Sequence, residues 1–390
     1  MDTQVAIVGA GPAGLLLSHL LHRAGVDSVV LEDRDRTYVE HRVRAGVLEQ
    51  GTVDLLNETG LGERMTAEGL VHHGIRIRFD RQEHRIALTG LTGRSLTIYG
   101  QQELVKDLIA ARLADGGQIE FEVEDVRLEG LGGDRPTVRY RSGDRETEIR
   151  CHIVAGCDGS HGVSRTAIPD GILTTYARDY PFAWLGVLAA VAPSTDELIC
   201  AAHERGFALH SMRSPSISRL YLQVPIDEPE ADWPDERIWS ELRTRLAVAD
   251  DWELRDGPIV DRGITPLRGY VVEPMQYGRL FLAGDAAHIV PATGAKGLNL
   301  AVSDVHALAE GIVEFERTGR TGLLDGYSAR CLPRVWRVQE FSWYMSSLLH
   351  ALPDDDGFGR RMQRSELEWL VSSAAAQTSL AENYTGLPFS

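Results

Sequence analysis

A glycine-rich turn near the start of the chain, Gly-Ala-Gly-Pro-Ala-Gly at residues 9–14, constrains the fold more than any other feature. Apolar residues 3–8 predict a buried strand, residues 12–24 a helix and residues 26–31 a second strand. In such a βαβ unit the first glycine makes the tight bend, the second lets a pyrophosphate approach, and the third lets the helix pack on the strand. An acid after the second strand accepts hydrogen bonds from a ribose. The spacing therefore predicts a dinucleotide site, for FAD or NAD, formed by Gly9, Gly11, Gly14 and Glu32.

The composition excludes several classes of protein. The chain of 390 residues carries 40 basic and 57 acidic side chains, and its net charge of −17 disfavours binding to nucleic acid or to anionic membranes. The longest apolar stretch, residues 182–193, is shorter than the roughly 20 residues that a membrane helix needs. The cysteines show no C-x-x-C spacing, so we expect no metal site, no disulfide framework and a reducing, cytoplasmic location. They are Cys151, Cys157, Cys200 and Cys331.

The patterns along the rest of the chain predict two kinds of structure. We expect a helix at 101–115, antiparallel strands at 118–155 and a β-rich lobe at 175–270. The region after residue 297 is predicted to be mostly helical, with interruptions at Pro333 and Pro353. The fold class is thus mixed α/β, with a Rossmann-like nucleotide-binding domain, an inserted β-rich substrate domain and a helical C-terminal region. The predicted boundaries are 1–174 and 268–390 for the two segments of the first domain, and 175–267 for the insert.

Two later motifs, each after a predicted strand, extend the nucleotide site. They are Cys-Asp-Gly at 157–159 and Leu-Ala-Gly-Asp-Ala-Ala-His at 282–288, the second followed by a glycine-rich turn at 291–297 and a long helix. An aspartate in such a motif can bind a ribityl hydroxyl, and a helix N-terminus can stabilise negative charge on a reduced ring system. All three motifs in this order resemble the single-component FAD-dependent aromatic hydroxylases, in which they serve one FAD.

The resemblance covers nearly the whole chain and is closest to the members of that family that act on 4-hydroxybenzoate. It implies that reduced FAD reacts with O₂ to give a flavin C4a-hydroperoxide, whose distal oxygen is transferred ortho to the phenol hydroxyl. NADH or NADPH is implied as a transient reductant, and water must be excluded from the pocket. The resemblance also suggests a homodimer. The segments that carry it are 42–51, 180–186, 271–275, 278–299 and 381–388.

The resemblance assigns one group of residues to the carboxylate end of the substrate. Arg213 matches the arginine that pairs with the carboxylate, a task suited to a planar guanidinium. Ser211 and Tyr221 match hydroxyls that share this carboxylate. Residues two apart on a strand point to the same face, so Ser211 and Arg213 can act together.

A second group is assigned to the chemistry at the other end of the ring. Tyr384 matches the tyrosine that hydrogen-bonds toward the phenol oxygen, and His72 matches the outer histidine of a proton relay, where a near-neutral pKa is suitable. Spacing alone indicates a partly exposed histidine at position 72. Arg219 matches an arginine that tunes the charge and movement of the flavin, and Ala292 and Thr293 lie in the loop beside the substrate hydroxyl.

Further matches concern the two nucleotides. The implied FAD contacts, besides the glycine-rich turn and Glu32, are Arg42, Arg44, Gln101, Asp158, Asp285, Gly297, Leu298 and Asn299, with Lys296 adding positive potential. The implied nicotinamide contacts are Arg42, Arg44, His161 and Arg268.

Two departures from the family pattern concern the phenol end of the pocket. Cys200 stands where the family has a relay tyrosine, and a thiol is smaller and a weaker hydrogen-bonding group than a phenol. Ala292 replaces a loop proline, which restores backbone freedom and an N–H. These changes leave open whether the substrate is 4-hydroxybenzoate or an altered ring such as protocatechuate, a 3-substituted 4-hydroxybenzoate or 4-aminobenzoate. A binding protein without productive hydroxylation is a remoter alternative.

A third departure concerns the reductant. Asp33 stands where NADPH-selective members carry a basic residue, and an acid there would repel a 2′-phosphate. We therefore expect NADH to be favoured, or discrimination to be weak if Arg34 and Arg36 compensate for the acid. An NAD-linked dehydrogenase is disfavoured by the Gly-Asp motif at 284–285, and a flavin halogenase by the lack of a Trp-x-Trp-x-Ile-Pro segment. Among the tryptophans, Trp336, Trp343 and Trp369 are expected to pack between helices.

Overall fold

A six-stranded sheet with helices against it forms the first part of the fold. The computed structural model describes residues 1–42, 44, 46–352 and 357–389. The strands stand in the order β18 (Gln276–Tyr277), β19 (Leu280–Leu282), β12 (Ile153–Gly156), β1 (Val5–Val8), β2 (Ser28–Leu31) and β8 (Gln118–Glu120). All neighbours are parallel except β18 and β19, and every residue of the central strand β1 is buried. The predicted βαβ opening and the helix at 101–115 are confirmed. The strands of the chain are β1 (Val5–Val8), β2 (Ser28–Leu31), β3 (Val47–Leu48), β4 (Leu70–His72), β5 (Ile75–Phe79), β6 (Gln82–Ile86), β7 (Leu96–Ile98), β8 (Gln118–Glu120), β9 (Val123–Glu129), β10 (Thr137–Ser142), β11 (Arg145–Arg150), β12 (Ile153–Gly156), β13 (Thr174–Ala189), β14 (Leu198–Ala201), β15 (Ala208–Ser214), β16 (Ile217–Pro225), β17 (Ile259–Glu273), β18 (Gln276–Tyr277), β19 (Leu280–Leu282) and β20 (His288–Ile289).

The region 118–155 is antiparallel only in part. Its strands β9, β10 and β11 form a three-stranded antiparallel sheet, as predicted. Strands β8 and β12, however, join the parallel sheet beside β2 and β1. Both are short and flank the meander, so their partners are decided by distant parts of the chain rather than by a local turn.

An eight-stranded sheet forms the β-rich lobe. Its order is β20-β17-β13-β16-β15-β14-β5-β6, and all neighbours are antiparallel except β14 and β5. The long strands β13 and β17 pair along most of their length and run from the nucleotide-binding part into the lobe. Strands β5 and β6 come from residues 75–86, so the sheet also draws on a segment that precedes the predicted insert. The boundaries 1–174, 175–267 and 268–390 stay a prediction.

The two faces of this sheet pack against different elements. One face contacts the helix α8 (Asp235–Leu246), which closes an apolar cluster around Leu185, Leu222 and Trp239. The other face contributes to a second cluster that includes the C-terminal helices and Tyr384. Because side chains alternate along a strand, residues 209, 211 and 213 share the second face.

The C-terminal region is mostly helical, as predicted, but Pro333 does not interrupt it. Pro333 lies inside the helix α11 (Tyr327–Leu349), where the proline lacks one helical hydrogen bond while the helix continues on both sides. Pro353, Val43 and Ala45 lie outside the described residues. No helix in the described ranges is long and apolar enough to cross a membrane. The helices are α1 (Pro12–Arg23), α2 (Arg36–His41), α3 (Gln50–Glu58), α4 (Gly62–Glu68), α5 (Leu88–Thr92), α6 (Gln101–Ala114), α7 (Val163–Thr166), α8 (Asp235–Leu246), α9 (Gly297–Thr318), α10 (Gly322–Asp325), α11 (Tyr327–Leu349), α12 (Gly357–Ser372) and α13 (Ala374–Thr385).

Three tryptophans expected to pack between helices are instead substantially exposed. Trp336 is 40% exposed, Trp343 42% and Trp369 57%. Trp336 contacts Tyr176 edge-on and donates to Glu273, and Arg178 lies over Trp343. Helical periodicity does not distinguish a face that packs within a chain from one that remains on its surface.

Candidate active site

The glycine-rich turn has the packing that a pyrophosphate site requires. Gly9 has a φ of 105°, and a Cβ added there would lie 2.4 Å from the Cys157 carbonyl oxygen. A Cβ on Gly14 would lie 2.0 Å from the Gly9 carbonyl oxygen, so these two positions need glycine for chain packing. A Cβ on Gly11, by contrast, would meet nothing within 4 Å. Gly11 therefore faces open space at the start of α1, whose N-terminus has no side-chain cap and can donate N–H groups to an anion.

Glu32 lies at the end of β2 beside this turn. Its carboxylate accepts hydrogen bonds from the amide of Ala10 at 2.7 Å and from the amide of Arg34 at 3.1 Å. Burial and the neighbouring Asp33 raise the pKa of Glu32 to about 7. The carboxylate is thereby held against the glycine-rich turn, where a ribose would lie if a dinucleotide occupied the site.

The two aspartates of the later motifs differ in exposure. Asp158 accepts from the amide of Ser164 at 2.8 Å through one oxygen, while its other oxygen is buried without a partner. Asp285 is exposed at the end of β19. An unsatisfied buried carboxylate oxygen and an exposed carboxylate are both available to a polyhydroxylated ligand.

A buried ion pair that the sequence analysis missed supports the second motif. Asp304 on α9 accepts hydrogen bonds from His288 Nε2 at 2.6 Å and from the amide of Gly284 at 3.0 Å. Both side chains are buried; burial lowers the pKa of His288, but Asp304 and Asp285 together with a backbone hydrogen bond raise it above its ordinary value. The final histidine of the 282–288 motif was a usable signal, but its partner lies 16 residues further along the chain.

The start of α9 offers backbone rather than side-chain groups. The side chain of Asn299 is saturated, because it accepts from the Glu49 amide and from Thr52 and donates to the Val47 and Ala295 carbonyls. No side chain caps this helix. Gly297, Leu298 and Asn299 can therefore contact a cofactor through their amides at a positive helix end.

Lys296 is less available to a cofactor than its position in the sequence indicates. It is 2% exposed, and its ammonium donates to Glu49 at 2.7 Å and to the Tyr384 carbonyl at 2.8 Å. Burial lowers the pKa of Lys296, and Glu49 opposes that shift. Its charge is thus largely neutralised inside the protein.

These features fit a bound FAD. The open space at Gly11 can take a pyrophosphate. The carboxylates of Glu32, Asp158 and Asp285 can bind the hydroxyls of two polyol segments. The uncapped start of α9 can stabilise a ring system that becomes anionic on reduction. Gln101 lies at the N-terminus of α6, half-buried.

A pair of arginines marks the candidate substrate site on the lobe. Arg213 and Arg219 are half-buried on adjacent strands, and within the described part of the chain neither forms an ion pair with an acid. Burial and the nearby Arg219 lower the pKa of Arg213. Ser211 lies directly opposite Arg219, and the Arg219 guanidinium lies 4.8 Å from the ring centroid of Tyr221. Two guanidiniums beside two hydroxyls, with no acid paired to either, form a site suited to a carboxylate.

Arg213 has one partner that the sequence analysis missed. Its guanidinium donates to the side-chain oxygen of Gln102, the second residue of α6. A Cβ on Gly100 would lie 3.1 Å from the Arg213 guanidinium carbon, so the chain before α6 also approaches this group closely. The contact joins residues 111 positions apart, which no local pattern indicates.

Tyr384 and Cys200 lie together in the apolar cluster next to this arginine pair. Tyr384 is 2% and Cys200 0% exposed. Burial and the proximity of Cys200 raise the pKa of Tyr384 well above its ordinary value, and burial raises the pKa of the Cys200 thiol to about 12. Both groups therefore stay protonated at neutral pH, and Cys200 has no thiolate character that would support redox chemistry.

His72 differs from the partly exposed histidine of near-neutral pKa expected from sequence. It is 1% exposed, neither ring nitrogen has a hydrogen-bond partner, and burial lowers its pKa to about 4. His73, by contrast, is exposed as expected. A neutral buried imidazole can still pass a proton, but it does not hold one at neutral pH.

The two loop residues assigned to the phenol end of the pocket differ in their exposure to solvent. Ala292 is exposed, whereas Thr293 is buried and its hydroxyl lies 2.8 Å from the Ser346 hydroxyl. Ser346 in turn accepts from His350 Nδ1 at 3.0 Å through its carbonyl, and His350 Nε2 accepts from the Trp184 indole at 2.7 Å. The sequence analysis placed Trp184 in the substrate lobe but did not find this chain of contacts.

The residues matched to nicotinamide binding are all on the surface. Arg42, His161 and Arg268 are exposed. Arg44 as a whole residue is also exposed, but its guanidinium is partly desolvated. This desolvation and the nearby Arg42 lower the pKa of Arg44, while Asp285, Tyr38 and Tyr221 oppose the shift. Arg44 is therefore within electrostatic reach of both the Gly-Asp motif and the candidate substrate site.

Comparison with known proteins identifies the family of this chain. Residues 2–342 match the model of the FAD binding domain family. The chain is 47% identical over 390 residues to the p-hydroxybenzoate hydroxylase of Acinetobacter baylyi, covering 100% of this chain and 96% of that protein. It is 27% identical over 349 residues to a 3-(3-hydroxy-phenyl)propionate/3-hydroxycinnamic acid hydroxylase of Mycobacterium avium, covering 84% of this chain and 57% of that protein.

The fold is shared with a solved structure of lower sequence identity. The p-nitrophenol 4-monooxygenase of Pseudomonas putida superposes with a TM-score of 0.85 at 19% identity, covering 99% of each chain. At that identity the likeness shows the fold alone. The family model and the full-length relative together show more: the chain belongs to the FAD-dependent aromatic hydroxylases and is a 4-hydroxybenzoate 3-monooxygenase-like flavoprotein.

Proposed function

We propose that this enzyme hydroxylates 4-hydroxybenzoate at the ring carbon ortho to its phenol hydroxyl. The observation that carries the proposal is the half-buried pair Arg213 and Arg219, which has no acidic partner in the described residues and lies next to a cluster containing Tyr384. The ring of 4-hydroxybenzoate has a carboxylate at one end and a phenol at the other, which matches this polarity. The full-length relative named p-hydroxybenzoate hydroxylase supports the same substrate.

The cofactor and the protein divide the work. Bound FAD, reduced by NADH or NADPH, would activate O₂ and supply one oxygen atom to the ring. The chain would hold it through the glycine-rich turn, Glu32, the two motif aspartates and the α9 amides. The protein's own part is to orient the ring, to exclude water and to control the phenol proton.

We assign orientation to Arg213 and proton control to Tyr384. Arg213 pairs with the carboxylate, and Ser211 and Tyr221 donate hydroxyl hydrogen bonds to it. Because its pKa is raised well above the ordinary value, Tyr384 stays a neutral phenol and donates to the substrate oxygen, which stabilises that oxygen as a phenolate. A phenolate pushes electron density onto the ortho carbon that accepts oxygen.

The proposal is tested with FAD-loaded protein in air. We would add 4-hydroxybenzoate with NADH and quantify the dihydroxylated acid against H₂O₂ and reductant loss. Product in step with reductant supports the proposal, whereas reductant loss with only peroxide contradicts it. Benzoate, which keeps the carboxylate but has no phenol, is the matched control ligand and should yield no product.

A second candidate substrate is an altered ring, and Cys200 favours it. The buried thiol lies beside Tyr384, where the family has a phenol side chain, and it stays protonated. The smaller side chain leaves space for the extra substituent of protocatechuate or of a 3-substituted 4-hydroxybenzoate. 4-Aminobenzoate would not need a proton relay, because an amine activates its ortho carbon without losing a proton. Higher coupling with one of these acids than with 4-hydroxybenzoate would favour this candidate. Cys200→Tyr should then shift the preference back toward 4-hydroxybenzoate, while Cys200→Ser should not.

We further propose that NADH is the preferred reductant. Asp33 is exposed and its carboxylate lies 3.6 Å from Arg34, so its charge is only partly compensated. A 2′-phosphate near it would be repelled. The ratio of kcat/KM for NADH to that for NADPH tests this, and Asp33→Arg should move the ratio toward NADPH.

We also propose a homodimer that works in the cytoplasm. Exposed apolar side chains concentrate on α11 and α12, including Trp343, Met362 and Trp369, which supports an interface there. All four cysteines are free and buried, which is the state expected in a reducing compartment. Sedimentation of the purified protein and fractionation of cells that produce it test the two parts separately.

A further inference from the structure

Arg334 of α11 holds the last described residues of the C-terminal segment that follows Tyr384. Arg334 donates to the carbonyls of Leu387 at 2.9 Å and Pro388 at 3.0 Å, and its guanidinium lies 5.2 Å from the ring centroid of Phe389. This side chain is only 9% exposed. Arg334 thus contacts three consecutive residues of a segment that has no regular secondary structure.

The same guanidinium belongs to a buried charge cluster that contacts Tyr384. Glu49 accepts from Arg334 at 3.1 Å through one carboxylate oxygen and from Lys296 at 2.7 Å through the other. Lys296 also donates to the Tyr384 carbonyl. Two cations and one anion therefore tie together α11, the residue before α9 and the end of α13.

The turn between Tyr384 and the segment is shaped to fit this cluster. Gly386 has a φ of 93°, and a Cβ there would lie 2.1 Å from a Glu49 carboxylate oxygen. Arg94 donates to the Gly386 carbonyl at 2.6 Å. The chain at the end of α13 is consequently held through the carbonyls of Tyr384 and Gly386 by two different basic side chains.

We propose that Arg334 is a positioning residue for hydroxylation, which clamps residues 387–389 and thereby sets the placement of the Tyr384 phenol. The proposal rests on the proposed function, in which Tyr384 donates to the substrate oxygen. Tyr384 is buried against Phe341, 5.8 Å between ring centroids, so its ring has little freedom of its own and follows the backbone of α13. Releasing the clamp moves that backbone, and a displacement near 1 Å is enough to impair a reacting geometry.

The test uses the full-length, FAD-loaded enzyme and three variants. Arg334→Met removes the donors and the charge, Arg334→Lys retains the charge without the planar fork, and Phe389→Ala removes the ring beneath the guanidinium. Arg330→Met is the control, since Arg330 is on the same helix one turn earlier and pairs with Glu310. FAD content and thermal unfolding of each variant show whether it folds.

Two readouts distinguish positioning from a general loss of structure. We expect Arg334→Met to lower the fraction of reductant that yields hydroxylated product by about fivefold, with binding of the aromatic acid nearly unchanged. We also expect the absorbance of bound 4-hydroxybenzoate to show a higher phenol pKa than in the wild type. Arg334→Lys should recover part of both effects, and Arg330→Met should show neither.

A Tyr384→Phe background provides the decisive comparison. If Arg334 acts through the tyrosine hydroxyl, Arg334→Met should change neither coupling nor the titration of the bound phenol further in that background. Equal effects in both backgrounds would overturn the proposal, as would unchanged coupling in all three variants. Should the wild type bind 4-hydroxybenzoate without forming product, the proposed function fails, while the titration of the bound phenol still tests the clamp.

Discussion

His288 and Asp304 form an ion pair, 2.6 Å between Nε2 and Oδ2, that is buried immediately behind the Gly-Asp motif. The same carboxylate oxygen accepts the amide of Gly284. A charged pair away from solvent is stable only if its hydrogen-bonding groups are satisfied, and here the backbone of the candidate cofactor loop completes the set. Asp304 therefore connects the interior of α9 to the loop that presents Asp285.

Replacing this carboxylate should weaken both the fold and cofactor binding. We expect Asp304→Leu to lower the free energy of unfolding by about 3 kcal/mol, because it leaves His288 and the Gly284 amide buried without their hydrogen-bond acceptor. FAD affinity should fall by roughly tenfold as the loop loses its anchor. Denaturant unfolding and FAD titration of the apoprotein measure the two effects. Asp325→Leu, at an exposed aspartate of α10, is the control and should leave FAD affinity unchanged.

Removal of the Arg213 guanidinium should weaken substrate binding and leave FAD binding unchanged. We expect Arg213→Met to raise the Kd of aromatic carboxylates roughly 100-fold, since a desolvated charge-assisted contact is lost. Fluorescence titration of the holoenzyme with 4-hydroxybenzoate measures this. Arg262→Met, which removes a half-exposed arginine paired with Asp235, should have no such effect. A similar rise in Kd for 4-hydroxybenzamide would show that Arg213 does not recognise the carboxylate.

Buried histidines should make the protein sensitive to mild acid. His72 has a pKa lowered to about 4 by burial, so the folded chain stays neutral there while the unfolded chain takes up a proton below its ordinary pKa. The free energy of unfolding therefore falls as pH decreases from the ordinary histidine value toward 4, and stability is fully present only above that range. We expect His72→Leu to reduce the loss between about pH 7.5 and 5.5 by about 1.4 kcal/mol.

The exposed neighbour provides the control for this effect. His73→Leu should leave the pH dependence of unfolding as it is in the wild type. Equal acid sensitivity of the wild type and His72→Leu would contradict the prediction, because it would mean that the imidazole at position 72 has the same pKa in the folded and in the unfolded chain.

The proposed interface on α11 and α12 should be disrupted by a single charge. We expect Trp369→Glu or Met362→Glu to convert the dimer to monomer, because burying an unpaired carboxylate in an apolar interface is strongly unfavourable. Sedimentation velocity at several concentrations measures the oligomeric state. Val260→Glu, at a position 59% exposed on β17, is the control. A monomeric wild type would refute the interface outright.

Local chemistry determined the parts of this protein that the sequence could predict. Gly9, Gly14 and the strand and helix around them follow from backbone sterics and short-range periodicity, and the structure confirms that βαβ unit. The placement of Ser211 and Arg213 on one strand also follows from a period of two. These features need no information from the rest of the chain.

Contacts between distant segments decided the remainder. Gln102 meets Arg213, Asp304 meets Gly284, and Lys296 is neutralised by Glu49 across 247 residues of sequence. Burial likewise decided that His72 is neutral and that Trp369 remains exposed. Tertiary packing alone sets these properties, because the solvation and the partners of a side chain depend on which surfaces the fold brings together.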